Sequence, residues 1–237
     1  MGRTSHCRNS RSRSARRFFV ANIEEGIALS GLAKQYNLTI HTLNNIWPEI
    51  IPLAADHGIV PVLSTLESLE HWKEFSEKKK KNFPFWIQCD TGLHRLGLSE
   101  QELKKFFGQN THPNQHPEGI LSHLASAYSD PIFSAQQQQR FEHTTLHLPK
   151  NILRSLSNSG GTAFGPSFFY DVIRPGRFIY GSSELPRTQN FPFPKHVLTV
   201  KSRILQIQNI KKGDNVGYDQ NFCAEKPMRI ATLGTGY

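Results

Sequence analysis

Phe85-Trp-Ile-Gln-Cys89 runs without a break into Asp90-Thr-Gly-Leu-His-Arg95, a short apolar and aromatic run that ends in a polar, glycine-containing cluster. A helix signal follows, Ser99-x-x-Glu102 ahead of Leu103 and Phe106, in which serine and glutamate can cap each other's backbone. Strand, polar strand end and helix together make one unit of a parallel α/β sheet. The unit recurs on both sides. Further strand runs stand at Phe18–Ala21, Thr39–Leu43, Ile59–Leu63, Gly119–His123, Ile152–Ser157 and Val172–Ile173. Between them, Ile23, Ile27 and Leu32 fall near helical spacing, and Ser64-x-x-Glu67 precedes Leu66, Leu69 and Phe75. The pattern predicts repeated βα units, with Lys78 to Lys81 as the solvated end of one helix.

The rhythm changes after Gly181. Glu184 to Lys195 is a proline-rich link, and Val197 to Gln208 alternates as one long strand. Lys211-Lys-Gly-Asp214 reads as a turn and Arg229 to Leu233 as another strand, so a second, β-type domain begins there. The sequence divides into an atypical leader at 1–17, expected to be disordered, a barrel at 18–184 and the start of a β-rich domain at 185–237.

The formal charge of the 237-residue chain is +9, which first suggests a nucleic-acid or membrane partner. Six arginines and no acid lie in residues 1–17, and without them 22 basic residues face 19 acidic ones. The folded body is nearly balanced. The leader has no apolar core of a signal peptide and no segment is long enough to cross a bilayer, so a cytoplasmic protein is expected. Cys7, Cys89 and Cys223 share no metal or redox spacing, which points to reduced thiols and no metal site.

On parallel barrels the chemistry sits where strands end. Besides Asp90 to Arg95, three such clusters occur: Ser122-His123, Ser157-Asn-Ser-Gly-Gly161 and Arg174-Pro-Gly176. The last two fall where barrels frequently bind phosphate, and Ser159 with the glycine amides suits an anion. Taken singly, Asp90 also reads as a helix cap, His123 as a core histidine, and Arg95 and Arg174 as surface residues.

In order and at suitable separations, Phe18-Phe-Val-Ala-Asn-Ile-Glu-Glu-Gly-Ile-Ala-Leu29, Asp90-Thr-Gly-Leu-His-Arg-Leu-Gly97, Ser122-His-Leu-Ala-Ser-Ala127, Asn158-Ser-Gly-Gly161, Arg174-Pro-Gly176 and Val216-Gly-Tyr218 resemble alanine racemases. The resemblance implies an α/β fold, an incomplete TIM (β/α)8 barrel followed by the start of a β-rich C-terminal domain. It implies pyridoxal 5'-phosphate as cofactor, L- and D-alanine as substrates, and a homodimer. By the same resemblance Arg174 faces the pyridine nitrogen, Arg95 lies near the phenolic oxygen, and His123 links Arg174 to the catalytic Tyr218. Ser159 and the backbone of Gly176 hold the phosphate, with Asn158 beside them.

The sequence departs from that pattern in several places. The family's lysine motif, which carries the cofactor, has no counterpart, and the resemblance stops at Ala231-Thr-Leu-Gly-Thr-Gly-Tyr237. The expectation is a truncated chain, inactive alone, that binds the cofactor non-covalently at best and exposes sheet edges that lower its solubility. Gln88 stands where some relatives carry a modified lysine, and Asp219 where glycine follows the tyrosine. Two rivals are a non-catalytic pyridoxal-phosphate-binding barrel and a nucleic-acid binder acting through Arg3 to Arg17. The first lacks a second domain, and the second has no aromatic stacking platform in its leader.

Overall fold

The computed structural model describes residues 15–109, 116–182 and 194–236. Most of the expected leader and nearly all of the proline-rich link lie outside the described residues. The chain divides into two compact units, Met1–Pro194 and Lys195–Tyr237.

Among the described residues of the first unit, six parallel strands stand in chain order: β1 (Arg17–Val20), β2 (Thr39–Thr42), β3 (Val60–Leu63), β4 (Trp86–Gln88), β5 (Gly119–Leu121) and β6 (Leu153–Ser155). Helices α1 (Ile23–Tyr36), α2 (Ile51–His57), α3 (Leu66–Lys79), α4 (Glu100–Gln109) and α5 (Pro131–Thr145) fill the crossovers. This is the order and handing-on of a TIM-type barrel, with six of its strands formed.

Local chemistry sets the helix starts. Asn22 accepts the Glu25 amide at 3.0 Å, and the Ser99 and Glu102 side chains cap each other's amides. At α3 the expected Ser64/Glu67 box is displaced by one residue: Thr65 and Ser68 make the reciprocal pair, because Thr65 holds the extended N-cap conformation. Lys78 to Lys81 end α3 in solvent, with Lys80 in the left-handed C-cap.

Each strand sorts its side chains to two faces. Leu63, Ile87 and Ile120 point to the helix layer, where they meet Ile51, Leu69, Trp72, Leu103 and Phe141. Val60, Val62, Trp86 and Leu121 point inward, packed by Phe19, Leu43 and Leu153. Trp86 can fill the middle of the barrel because its cross-strand partner is Gly119, where an added Cβ would stand 2.5 Å from the indole.

Val172–Ile173 does not form the expected seventh strand. The Asp171 and Val172 amides both donate to the Arg154 carbonyl, and the Val172 carbonyl accepts from the Ser155 hydroxyl. These bonds take the groups a ladder would need, leaving one parallel bridge, Asn158 to Arg174. The segment 171–176, leading into the short helix α6 (Gly176–Ile179), still runs beside β6.

In the second unit β7 (Ile204–Ile210) pairs antiparallel with β10 (Met228–Leu233), and β8 (Asn215–Val216) with β9 (Phe222–Cys223). The long strand expected from Val197 begins only at Ile204, because the partner strand reaches no further than Leu233 opposite Ile204. The turn at Lys211 to Asp214 forms, its Lys211 amide held by the Asp214 carboxylate at 2.7 Å.

Candidate active site

The β4 end is organised by Asp90. Its Oδ1 accepts the amides of Gly92, Leu93 and His94 at 2.9 to 3.1 Å, and its Oδ2 meets the His94 ring at 2.8 Å. Partial burial opposes ionisation, yet the Gly92 and His94 amides and the His94 ring hold this carboxyl below its usual range. Asp90 thus shapes the loop from within. Buried Gln88 secures the far side by donating to the Leu96 carbonyl at 2.9 Å. Loss of the loop's caps in Asp90→Ala should cost about 1–2 kcal/mol in urea unfolding at neutral pH. Because the folded pKa is depressed, the charge-linked part of that difference should be complete above about pH 4 and be lost as pH falls further, through the lower folded pKa.

At the β5 end the Thr91 and Ser122 hydroxyls bond at 2.7 Å, tying the β4 and β5 loops together. His123 follows Ser122 and is held neutral, with its pKa lowered to about 4 by burial and then by the charges of Arg174 and Arg95.

At the β6 end the Asn158 side chain donates to the Leu124 carbonyl and accepts the Gly161 amide at 3.0 Å. The Gly161 amide is therefore engaged within the loop, and the glycines have a packing role. An added Cβ would lie 2.8 Å from Ala127 at Gly160 and 2.7 Å from Leu124 at Gly161. Buried Ser159 accepts the Phe178 amide at 3.3 Å, which joins this loop to the residues after Gly176.

Arg174 is the keystone of the next segment. Its guanidinium donates to the Ser122 carbonyl at 2.5 Å and to the Ser155 hydroxyl, and it lies 6.0 Å from the Phe19 ring centroid. Burial lowers its pKa to about 10, with Cys89 opposing, so it remains a cation at neutral pH.

His123, Asn158, Ser159, Arg174 and Gly176 all line one cavity of about 530 Å³, bounded on its other side by Arg17, Phe18 and Phe19. Arg95 is exposed and is not among the lining residues; only its charge reaches His123. A second cavity of about 170 Å³, beneath Trp72 and Phe83, contains none of the expected residues. The described lining of the larger cavity has three arginines, Arg17, Arg174 and Arg177, and no carboxylate or lysine. That donor set suits an anionic ligand, and a serine hydroxyl beside two loop backbones suits its phosphate.

Residues 6–184 match the model of the alanine racemase N-terminal domain, and residues 197–237 that of the alanine racemase C-terminal domain. The chain belongs to the alanine racemase family. It is 36% identical to the alanine racemase of Brucella canis, aligned over 94% of this chain and 59% of the relative. For the Rickettsia rickettsii alanine racemase the identity is 32%, over 94% and 61% of the two chains. The crystal structure of the Bartonella henselae alanine racemase with covalently bound pyridoxal phosphate superposes with a TM-score of 0.78 at 33% identity, covering 94% of this chain and 62% of that one. The biosynthetic alanine racemase of Pseudomonas aeruginosa gives 0.77 at 26% identity, covering 95% and 62%. The chain thus spans about three fifths of the length of these alanine racemases.

Tyr218 belongs to the second unit, where the residue is 82% exposed. It follows Gly217 at φ +80° and precedes Asp219 at φ +56°, a left-handed position that favours glycine. Asp219 keeps that backbone shape without glycine. No helix among the described residues is long and apolar enough to cross a membrane, and no cluster of three metal-ligating side chains occurs among them.

Residue-type reasoning alone passed over Tyr128 and Arg177, which line the same cavity, and His41 inside the barrel. The one signal for Arg177 was its place directly after Arg174-Pro-Gly176.

Proposed function

We propose that this chain builds the pyridoxal-phosphate face of an alanine racemase, whose reaction interconverts L- and D-alanine for peptidoglycan synthesis. The observation that supports it best is the fixed Arg174 guanidinium in one cavity with His123 and the Ser159 corner. In this reading Ser159 and the Gly176 backbone hold the phosphate, with Asn158 bracing the loop, and Arg174 faces the pyridine nitrogen. Arg95 acts at longer range through its charge on His123. When bound, pyridoxal phosphate supplies an electron sink for the charge left as the α-proton departs. Arg174, a cation at neutral pH, would disfavour protonation of a pyridine nitrogen placed against it and so would moderate that electron sink. His123, held neutral beside Arg174, can pass hydrogen-bond polarity toward a tyrosine.

Racemisation also needs a proton donor and acceptor on opposite faces of the substrate. Tyr218 is the proposed group on one face, acting on the barrel of a second copy in a cytosolic homodimer. Because no lysine is among the described cavity residues, we take the cofactor to be held non-covalently and the chain by itself not to turn over alanine.

Titration of purified protein with pyridoxal phosphate should give saturable binding at one site per chain. After borohydride treatment and denaturation no stoichiometric lysine adduct should remain by mass, and D-alanine should stay at background. Absence of saturable binding would sink the cofactor reading. A stoichiometric adduct with D-alanine production would instead show that a lysine does reach the site.

A further inference from the structure

The smaller cavity lies away from every role assigned above. About 170 Å³ in volume, it is enclosed by α3, by the loop that leads from Lys80 into β4, and by Phe106 of α4. Leu69, Trp72, Phe83, Phe85 and Phe106 supply its apolar wall. The rings of this region pack on one another, Trp72 edge-on to Phe83 with centroids 6.2 Å apart. Phe85 precedes β4 and Asp90 follows it, so the cavity and the Asp90 loop stand at opposite ends of one strand.

The polar groups around the wall divide into two kinds. Within it, the Trp72 indole N–H donates to the Phe83 carbonyl at 3.2 Å and the Ser76 hydroxyl to the Trp72 carbonyl at 2.9 Å, so both are spent on the protein itself. At the rim stand Lys73, Lys80 and Lys81 with one carboxylate, Glu77. None of these lysines is in an ion pair among the described residues. Lys80 and Lys81 are exposed and Lys73 is half-buried. The Lys81 Nζ lies 5.0 Å from the Phe83 ring centroid, which keeps an ammonium beside the apolar wall.

Size and charge together specify a guest. An apolar cavity of about 150 Å³ is enough to hold one benzene ring. The wall here offers little hydrogen bonding, while three lysines against one glutamate leave the rim positive. We propose that this cavity is a binding site for a small aryl monocarboxylate, whose ring packs against Trp72 and Phe83 and whose carboxylate meets Lys73 and Lys81 at the rim. A neutral ring gains the wall alone, and an aliphatic acid the rim alone. The rim faces solvent, so its share of the binding falls as salt rises. The site does not depend on the cofactor reading.

Trp72 reports on the site, because of Trp47, Trp72 and Trp86 it is the one that lines this cavity. Titration of the full chain with phenylacetate, followed by the indole N–H resonances in NMR, should shift the Trp72 signal saturably and leave those of Trp47 and Trp86 in place. Half-saturation is expected on the order of 1 mM, given so small a ligand. Neutral 2-phenylethanol should bind about three- to tenfold more weakly, a gap that raised salt narrows. Acetate should leave Trp72 unmoved. Combining Lys73→Gln with Lys81→Gln, changes at rim positions that should spare the fold, should bring phenylacetate to the level of 2-phenylethanol and leave 2-phenylethanol unchanged.

Equal affinities of the parent for phenylacetate and 2-phenylethanol overturn the proposal, as does a double variant that keeps the parent's preference. A Trp72 signal that phenylacetate does not move well above the expected midpoint overturns it too. So does one that acetate moves equally, or a shift shared by all three indoles.

Discussion

Arg174→Leu should remove measurable pyridoxal phosphate binding and lower unfolding stability by about 2–4 kcal/mol, the larger effect of any single change at the cavity. The stability loss has a specific source. The guanidinium satisfies the Ser122 carbonyl and the Ser155 hydroxyl, on residues almost entirely buried, and leucine leaves both without that donor. Leucine fills much of the vacated volume, so the cavity contribution stays small and the unsatisfied acceptors dominate. Arg174→Lys separates charge from geometry: an ammonium keeps the cation but cannot reproduce the planar fork to two acceptors. It should fold better than leucine and still bind the cofactor poorly. Burial first, then the charges of Arg174 and Arg95, hold His123 to about 4, so Arg174→Leu should raise the His123 pKa in an NMR titration. Cofactor affinity that survives Arg174→Leu would make this residue a strut of the barrel and nothing more.

His41→Phe should make the protein more stable, and more so in acid. The imidazole is fully buried on β2, stacked on Phe19 at 4.5 Å and edge-on to Trp86 at 5.4 Å, and neither ring nitrogen has a well-aligned partner among the described residues. Burial, reinforced by Arg17 and opposed by the Phe18 backbone, lowers its pKa to about 4. Above pH 6.5 both folded and unfolded chains carry it neutral and it costs no proton work. Below that, the unfolded chain takes up a proton that the fold excludes, so stability falls from about pH 6.5 down to about pH 4, by up to about 3 kcal/mol. Phenylalanine removes this loss and places an apolar ring against two aromatic neighbours. Urea unfolding across that pH range should show a shallower acid limb for the variant. His123 titrates in the same window and leaves a residual slope. His41→Leu, with less ring to accommodate, guards against overpacking. An acid limb identical to the parent's in both variants would show that His41 does not resist protonation in the fold.

The parts of this protein legible in its sequence are those fixed by near neighbours. Phe85 to Cys89 and Gly119 to Leu121 announce strands because apolar runs end in polar loops, and the Ser99/Glu102 box forms where its spacing places it. The segment at Val172–Ile173 misled for a physical reason. Its composition suits a strand, but the Ser155 hydroxyl and the doubly used Arg154 carbonyl consume its ladder partners. Val197 to Arg203 failed likewise, since a strand extends only as far as its partner.

Sequence alone thus determined the βα rhythm, the change to a β-rich unit, and which strand ends carry polar chemistry. Each of these is a property of residues within a few positions of one another. The tertiary structure decided that His123, Asn158, Ser159, Arg174 and Gly176 share a cavity while Arg95 stays outside it, that Gly119 makes room for Trp86, and that Tyr128 and Arg177 stack beside Ser159. Those relations depend on strand register and on loops meeting across tens of residues, where the free energy of contact is set by shape and desolvation that no local pattern encodes.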